Sequence, residues 1–395
     1  MNAPPTQFQM ETLEPQQCRA KVPYLSGEVR VYRFKHPGHG WTLSIATYGE
    51  PGSRQLSLGG FRIAPKSRTM TRGYDNDREA IQLAMGMEEK VFWSRLLQLG
   101  GPLGEGNLHR IVGGKCVLLP TEDARVGQPQ DAALLDFAVS CLKELEESVG
   151  ILITTGQDLG HGIMSDGLTS SLEYLNRKFP GSMLSNTAMP TGEGNFQILC
   201  GGLRALDIAP ERARIGLIGC GNVGGHVLKR LLESRARVMV LEAYPPTRDR
   251  LAKEYGLKAW APDRKEAFLA ESMDALVVNA SGGTLDEAAI TVLENNEDLR
   301  IVCGCENLAI ADPDGLDRLR WARKIYFPTE LCGMVGYLTA VEEYLSQRRG
   351  VLFREENMYP PAKKLERVGF EGVGYLLDNE FGCSFDEALR TLYGT

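Results

Sequence analysis

Arg214-Ile-Gly-Leu-Ile-Gly-Cys-Gly-Asn-Val-Gly-Gly-His-Val-Leu-Lys229 decides the fold of one half of this 395-residue chain. Ile215, Leu217 and Ile218 make a short apolar run of the kind that forms a buried parallel strand. The turn Gly219-Cys220-Gly221-Asn222-Val223-Gly224 follows at once, and beyond it Val227, Leu228, Leu231 and Leu232 recur at helical spacing. Gly219 permits a tight turn, Gly221 lets backbone approach a pyrophosphate, and Gly224 allows helix and strand to pack closely. The free N–H groups at the start of that helix can hold phosphates. The next apolar run, Arg237-Val-Met-Val-Leu-Glu242, ends on a carboxylate roughly twenty residues beyond the glycines, where a ribose 2′-hydroxyl needs an acceptor. Strand, glycine turn, helix and acid together read as a dinucleotide site. Gly219, Cys220, Gly221, Asn222, Val223, Gly224 and Glu242 are its expected contacts, joined by Asn279 and Ala280 after the Ala275–Val278 run.

Working outward, the short apolar strands Val238–Leu241, Ala275–Val278, Arg300–Cys303 and Ile325–Phe327 alternate with helical patterns. That order predicts a parallel, doubly wound sheet over residues 186–335. Thr284-Leu-Asp-Glu287 has capping-box spacing ahead of one of its helices. A chain this long exceeds one ordinary core, so a second domain is expected in residues 1–185, with a helical tail, 336–395, folding back to complete it.

The first half reads as mixed α/β. Residues 1 to about 20 are polar and expected to be loosely ordered. Val29–Phe34 and Trp41–Ala46 are strand-like, and Asp75 or Asn76 can cap a helix that carries Ile81, Ala84, Met87 and Val91 and ends in Met87-Glu-Glu-Lys90. A glycine-rich stretch leads to Ile111-Val-Gly-Gly-Lys115, where a glycine pair brings a lysine to an apolar strand. Asp131–Val149 is amphipathic, and after Ile151-Leu-Ile-Thr-Thr comes Gly156-Gln-Asp158, a carboxylate at a strand's C-terminal edge.

Composition excludes several classes. A net charge of −7 argues against a nucleic-acid surface. No apolar run is long enough to span a bilayer, and the N-terminus has no secretory pattern. The nine cysteines are scattered without a CxxC pair, and the five histidines form no metal-binding cluster, so no metal is expected and a reducing, cytoplasmic setting is.

Taken in order, Gly59-Gly60-Phe-Arg62, Gly86-Met-Glu-Glu-Lys90, Gly113-Gly-Lys115, Gly156-Gln-Asp158, Thr191-Gly-Glu-Gly194 and Gly219–Gly224 resemble the glutamate/leucine/phenylalanine/valine dehydrogenase family. The similarity runs from about Leu58 to Leu345. It implies two α/β domains and reversible oxidative deamination of an L-amino acid to a 2-oxo acid and ammonia. It further implies that Lys90 holds the substrate α-carboxylate with Gly59 and Gly60 nearby, that Lys115 acts with a catalytic water, and that Asp158 exchanges protons with the substrate nitrogen. Thr191 and Asn307 would lie near the nicotinamide and substrate. The family is usually oligomeric, which implies a homo-oligomer.

Two departures stand out. The segment between Lys90 and Lys115 is longer than is usual in the family and Gly/Pro-rich, as a lid or a surface bulge would be. Where the family has a run of small residues shaping the side-chain pocket, this chain has Glu330-Leu-Cys-Gly-Met334-Val-Gly-Tyr337, so Met334 and Tyr337 are expected to rebuild that pocket for an unusual amino acid. Glu242 favours NAD, while the nearby Arg248 and Arg250 leave NADP open. Two other functions stay open: an imine reductase using an amine other than ammonia, and a catalytically silent NAD-binding regulator.

Overall fold

The alternation of side chains along Ile111–Leu119 organises the first part of the structure. In this computed structural model, which describes residues 8–156, 158–312 and 314–394, that stretch is β6, buried almost throughout. Among the described residues it is central in a seven-stranded sheet ordered β1 (Gln9–Leu13), β2 (Arg30–Lys35), β3 (Thr42–Thr47), β6, β4 (Leu56–Leu58) and β7 (Leu152–Thr154), with β5 (Phe61–Ile63) also paired to β6. The sheet belongs to a unit of Met1–Phe92, Leu103–Ser185 and Ala340–Phe353. Its helices include α1 (Pro15–Lys21), α2 (Lys66–Thr69), the Phe92-side part of α3 (Asn76–Leu96), α4 (Asp131–Glu144) and α5 (Ser171–Lys178).

Neighbouring residues of a strand face opposite ways. Cys116 and Leu118 therefore join Leu43, Ile45, Phe61 and Ile63 in an apolar core closed by α4. Lys115 and Val117 face the other side, where Val117 is paired with Ser44 on β3 and with Arg62 on β5. There α3 supplies polar partners: Asn76 donates to the Ser44 hydroxyl and to the Val117 carbonyl, at 3.0 and 2.9 Å.

The second unit comprises Trp93–Pro102, Asn186–Thr339 and Arg354–Thr395. Its sheet, five-stranded among the described residues, is wholly parallel: β12 (Ile325–Tyr326), β11 (Ile301–Cys303), β10 (Ala275–Val278), β8 (Arg214–Ile218), β9 (Arg237–Leu241). β9 and β10 flank β8 on opposite sides, so the strand order reverses there and a crevice opens beyond the C-terminal ends of β8 and β10. This is the doubly wound, Rossmann-type sheet expected. Around it run α6 (Ala188–Ala205), α7 (Asn222–Glu233), α8 (Pro245–Tyr255), α9 (Lys265–Leu269), α10 (Glu287–Asn295), α11 (Asp314–Trp321), α12 (Thr329–Cys332) and the first residues of α13 (Met334–Arg349). α14 (Tyr359–Asp378) and α15 (Phe385–Tyr393) complete it.

Several expectations change. The tail Arg354–Thr395 belongs to the second unit rather than the first. The cause is a backbone-to-backbone fit: a Cβ on Gly201 of α6 would collide with the Glu366 carbonyl of α14, and one on Gly369 would strike the Ile198 carbonyl. Beyond Gln7, the N-terminal region is ordered. β1 pairs with β2, and α1 starts on a capping box formed by Glu14 and Gln17, with Cys18 buried beneath it. Residues 1–7 lie outside the described residues. α3 does not stop at Lys90, because Val91 and Trp93 continue its buried face and no Gly or Pro intervenes before Gly100. The cap of α10 is Asp286, which accepts from the Ala289 amide at 2.9 Å, not Thr284.

Candidate active site

In the second unit the glycine turn has the geometry its sequence implies. Gly219 sits at φ +83°, a backbone region that favours glycine, and a Cβ on Gly224 would strike the Gly219 carbonyl. A Cβ on Gly221 would meet nothing within 4 Å, so the space above it is open. α7 begins at Asn222 with no side-chain cap, which leaves the first amides at Asn222, Val223 and Gly224 available to a ligand. Open space above a glycine and uncapped helix amides are what a pyrophosphate requires, so these residues fit the dinucleotide.

Glu242 closes the same corner. Its carboxylate accepts from the Cys220 amide at 2.6 Å and from the Tyr244 amide at 2.7 Å. Those bonds fix it at the end of β9 beside the turn and leave lone pairs for a ribose hydroxyl. Across the crevice, the Asn279 side chain accepts from the Cys305 amide at 2.8 Å and donates to Asn195 at 3.4 Å. The Ala280 amide donates to Glu306 at 3.0 Å.

Glu306 received no role from the sequence, yet it fastens this loop. Its two oxygens accept from the Ala280 amide, the Thr284 amide and the Thr284 hydroxyl at 2.7–3.0 Å. Burial pushes its carboxyl above the ordinary range against the pull of those donors. Asn307, next in sequence, is half-buried. Thr191 is held by a 2.5 Å bond from its hydroxyl to the Thr187 carbonyl, against Gly336, where a Cβ would collide with that hydroxyl. Met334 and Tyr337 are buried at the start of α13.

In the first unit, β4 pairs with β6 up to Leu58–Gly113 and β5 resumes at Phe61–Cys116. Gly59 and Gly60 break the ladder between them. A Cβ on Gly59 would run into the Gly114 carbonyl, and one on Gly60 would lie 2.9 Å from the Lys115 amine. The break thus makes room for the Lys115 side chain, which pairs with Asp158. Lys90, buried on α3, adds a second cation to the field at Lys115. The neighbouring Glu88 accepts from the Gly113 amide at 2.5 Å and ties α3 to β6 just before Lys115.

Burial is the largest influence on Lys115 and pulls its ammonium below the ordinary lysine range. Asp158 opposes this, while Arg62 and Lys90 reinforce it. Burial alone would raise the Asp158 carboxyl, but Lys115 and Arg62 outweigh it and hold the group well below the usual carboxylate range. Asp158 is therefore the ionised member of the pair. Lys115, Asp158, Gly60 and Gly59 are brought into contact, and Lys90 acts on them through its charge.

The long segment after Lys90 is not a free loop. The amides of Leu103 and Gly104 donate to Glu342, fully buried on α13, at 2.9–3.0 Å. A 3-10 turn, Glu105–Arg110, then delivers the chain to β6. The adjacent Glu343 accepts from the amides of Leu184 and Ser185 at 2.9–3.1 Å.

Comparisons with known proteins fit this geometry. Residues 214–300 match the family model described as NADP oxidoreductase coenzyme F420-dependent. The chain is 25% identical over 295 residues to a valine dehydrogenase of Streptomyces virginiae, covering 73% of each. Among solved structures, the L-tryptophan dehydrogenase of Nostoc punctiforme superposes with a TM-score of 0.59 at 18% identity, covering 90% of both chains. A hetero-hexameric glutamate dehydrogenase of Thermus thermophilus superposes with a TM-score of 0.64 at 15% identity, covering 98% of this chain and 87% of the other. Such identities in the solved structures establish a shared fold.

Proposed function

We propose that this chain, an NAD(P)-dependent amino-acid dehydrogenase of the glutamate/leucine/phenylalanine/valine type, interconverts a specialised L-amino acid with its 2-oxo acid and ammonia, using NAD. The observation that carries the reading is the buried Lys115–Asp158 pair behind the Gly59-Gly60 break, with Lys90 close enough to act on it.

A bound nicotinamide supplies the acceptor for the hydride that leaves the substrate Cα. The iminium carbon left on the substrate must then be attacked by water, and Lys115 takes the proton from that water. A lysine can do so only when its pKa falls toward about 7–8, the direction in which burial and two neighbouring cations drive Lys115. Lys90 neutralises the substrate α-carboxylate. Asp158 hands protons to and from the substrate nitrogen; because it stays ionised, each transfer is transient rather than a stored charge. In balance, amino acid, NAD+ and water become 2-oxo acid, ammonium, NADH and a proton. Thr191 and Asn307 complete the nicotinamide side.

The fixed carboxylate of Glu242 supports NAD, since it would repel a 2′-phosphate. The bulk of Met334 and Tyr337, where the family carries small residues, supports a specialised side chain. Self-association and a reducing, cytoplasmic setting belong to the same reading. They are supported by the hexamer among the similar structures and by nine cysteines that are all free thiols. No helix among the described residues is long and apolar enough to cross a membrane.

The test is NADH consumption with a panel of 2-oxo acids, each with and without ammonia. Ammonia-dependent turnover is expected, and Lys115→Ala should lower it roughly 10²–10⁴-fold while leaving NADH affinity unchanged. A fully active Lys115→Ala protein would sink the assignment. Turnover that needs a primary amine in place of ammonia would transfer it to an imine reductase.

A further inference from the structure

We propose that Arg62 is a positioning residue for this chemistry: its guanidinium fixes the Asp158 carboxylate in one orientation and is a permanent cation beside Lys115. The inference rests on the catalytic reading of Lys115 and Asp158 given above. Arg62 lies in the middle of β5, nearly inaccessible to solvent at 2% exposure. Phe61 and Ile63 on either side of it enter the apolar core, so strand alternation drives a charged side chain onto the face that carries Lys115.

A buried guanidinium must have partners, and its partners here are specific. Nε donates to one Asp158 oxygen at 3.2 Å and Nη2 to the other at 3.3 Å, a two-pronged grip. Nη1 donates to Glu79 on α3 at 2.6 Å. The second Glu79 oxygen accepts from the Tyr74 hydroxyl at 2.6 Å, and the Asn76 side-chain oxygen lies 3.0 Å from that hydroxyl. Arg68 approaches Glu79 at 3.7 Å. On the other flank the Asp158 carboxylate accepts from the Leu159 amide at 2.7 Å.

Rotation of Asp158 would break two charge-assisted bonds at once, so the oxygen facing Lys115 is presented in a constant direction. The charges are shared: Asp158 lies between Arg62 and Lys115, and Glu79 between Arg62 and Arg68. Lys90, on the catalytic reading, meets the substrate carboxylate. His161, whose ring nitrogens lie 2.8 Å from the Phe61 carbonyl and from the Ser171 hydroxyl, is kept toward its neutral form by burial and adds little charge. Arg62 is always charged, so its repulsion favours the neutral Lys115 amine that takes the proton from water. The shift of Lys115 described above accords with this.

The prediction is a signed pattern in pH profiles of the full-length enzyme, where the acidic limb of kcat/KM for amino-acid oxidation reports deprotonation of Lys115. Arg62→Gln removes the cation, so Lys115 keeps its proton longer and the limb moves up by about one pH unit. Glu79→Gln removes the counter-charge and moves the limb down by less. Arg62→Lys keeps the charge but loses the grip: the limb stays in place while kcat falls on the order of tenfold. Competitive acetylation of Lys115 against pH, read by mass spectrometry, follows the same amine without turnover and covers a variant of low activity.

Limbs and acetylation midpoints that stay put in both Gln variants, with losses uniform across pH, would overturn the role of Arg62. If Lys115→Ala is itself fully active, the failure lies in the underlying assignment instead. Opposite shifts in Arg62→Gln and Glu79→Gln support it, because a merely structural arginine has no reason to produce them.

Discussion

Lys115 depends on its strand neighbours in both senses of direction. The residues beside it in sequence, Gly114 and Cys116, clear space and fill the core, while burial and the charges of Asp158, Arg62 and Lys90 set its acidity. Glu242 is a second residue whose partners explain its use. Held by two backbone amides, it cannot swing away from a cofactor, so its charge acts on whatever occupies the ribose position. Glu242→Gln should therefore lower the preference for NAD over NADP, measured as the ratio of kcat/KM values, by on the order of tenfold, because a like-charge clash with a phosphate is removed. An unchanged ratio would mean that the carboxylate does not face the ribose.

Residues of this kind differ in how far sequence reveals them. Lys115, Asp158 and the glycine turn are flagged by glycines at set offsets, which have a physical reason to be there. Arg62 closes the Gly59-Gly60-Phe-Arg62 motif and Glu306 precedes Asn307, yet the sequence signals a role for neither. A lone charge in a short strand or a loop carries no periodicity, and its importance comes from partners far away in the chain, such as Asp158 for Arg62 and Thr284 for Glu306.

Among elements, α6 is the most densely committed. One side lies against α14 through Gly201 and Gly369, and another is tied to α7 through Glu193. That carboxylate takes 2.8 Å from Arg230, 3.0 Å from His226 and 2.7 Å from Gln197. Burial would raise it, but the bonds from His226, Gln197 and Arg230 prevail and bring it down to about 2. A carboxyl depressed on folding contributes stability that is present above its unfolded value, near 4.5, and is lost as pH falls from there through about 2. Glu193→Gln should thus cost about 2 kcal/mol at pH 7 in urea titrations, within the range for hydrogen bonds to charged groups. The gap between wild type and variant should narrow below pH 4.5. A gap independent of pH would show that the charge does not fasten these helices.

The strands of the second sheet and the helices after β8 and β9 were legible because burial of a parallel sheet writes continuous apolar runs. The C-terminal end of α3 and the partner of α14 were not. A helix stop needs a breaker that the sequence supplies only after Trp93, and a glycine contact face looks in one dimension like poor helix propensity.

For the whole molecule, the chain is threaded through both units more than once. It leaves the first unit within α3, returns at Leu103, leaves again after Ser185, and re-enters within α13. Two-unit organisation was readable from length and from the change of pattern near the glycine turn. The ownership of the tail was not, because it depends on which backbone α14 can approach. Ending the chain at Phe353 should therefore strip α6 of its cover and abolish NADH binding measured by fluorescence. A truncated protein that binds NADH with the affinity of the full chain would contradict the packing of α14 on α6.

Glu342 and Glu343 hold their loops through main-chain amides and not through side chains. An amide is present whatever residue is encoded, apart from proline. The burden of heredity is therefore lopsided: codons 103, 104, 184 and 185 are free to drift without loosening the attachment, while the two glutamate codons are not. A lineage could lengthen or rewrite the segment before β6 many times over and still find it anchored at Glu342.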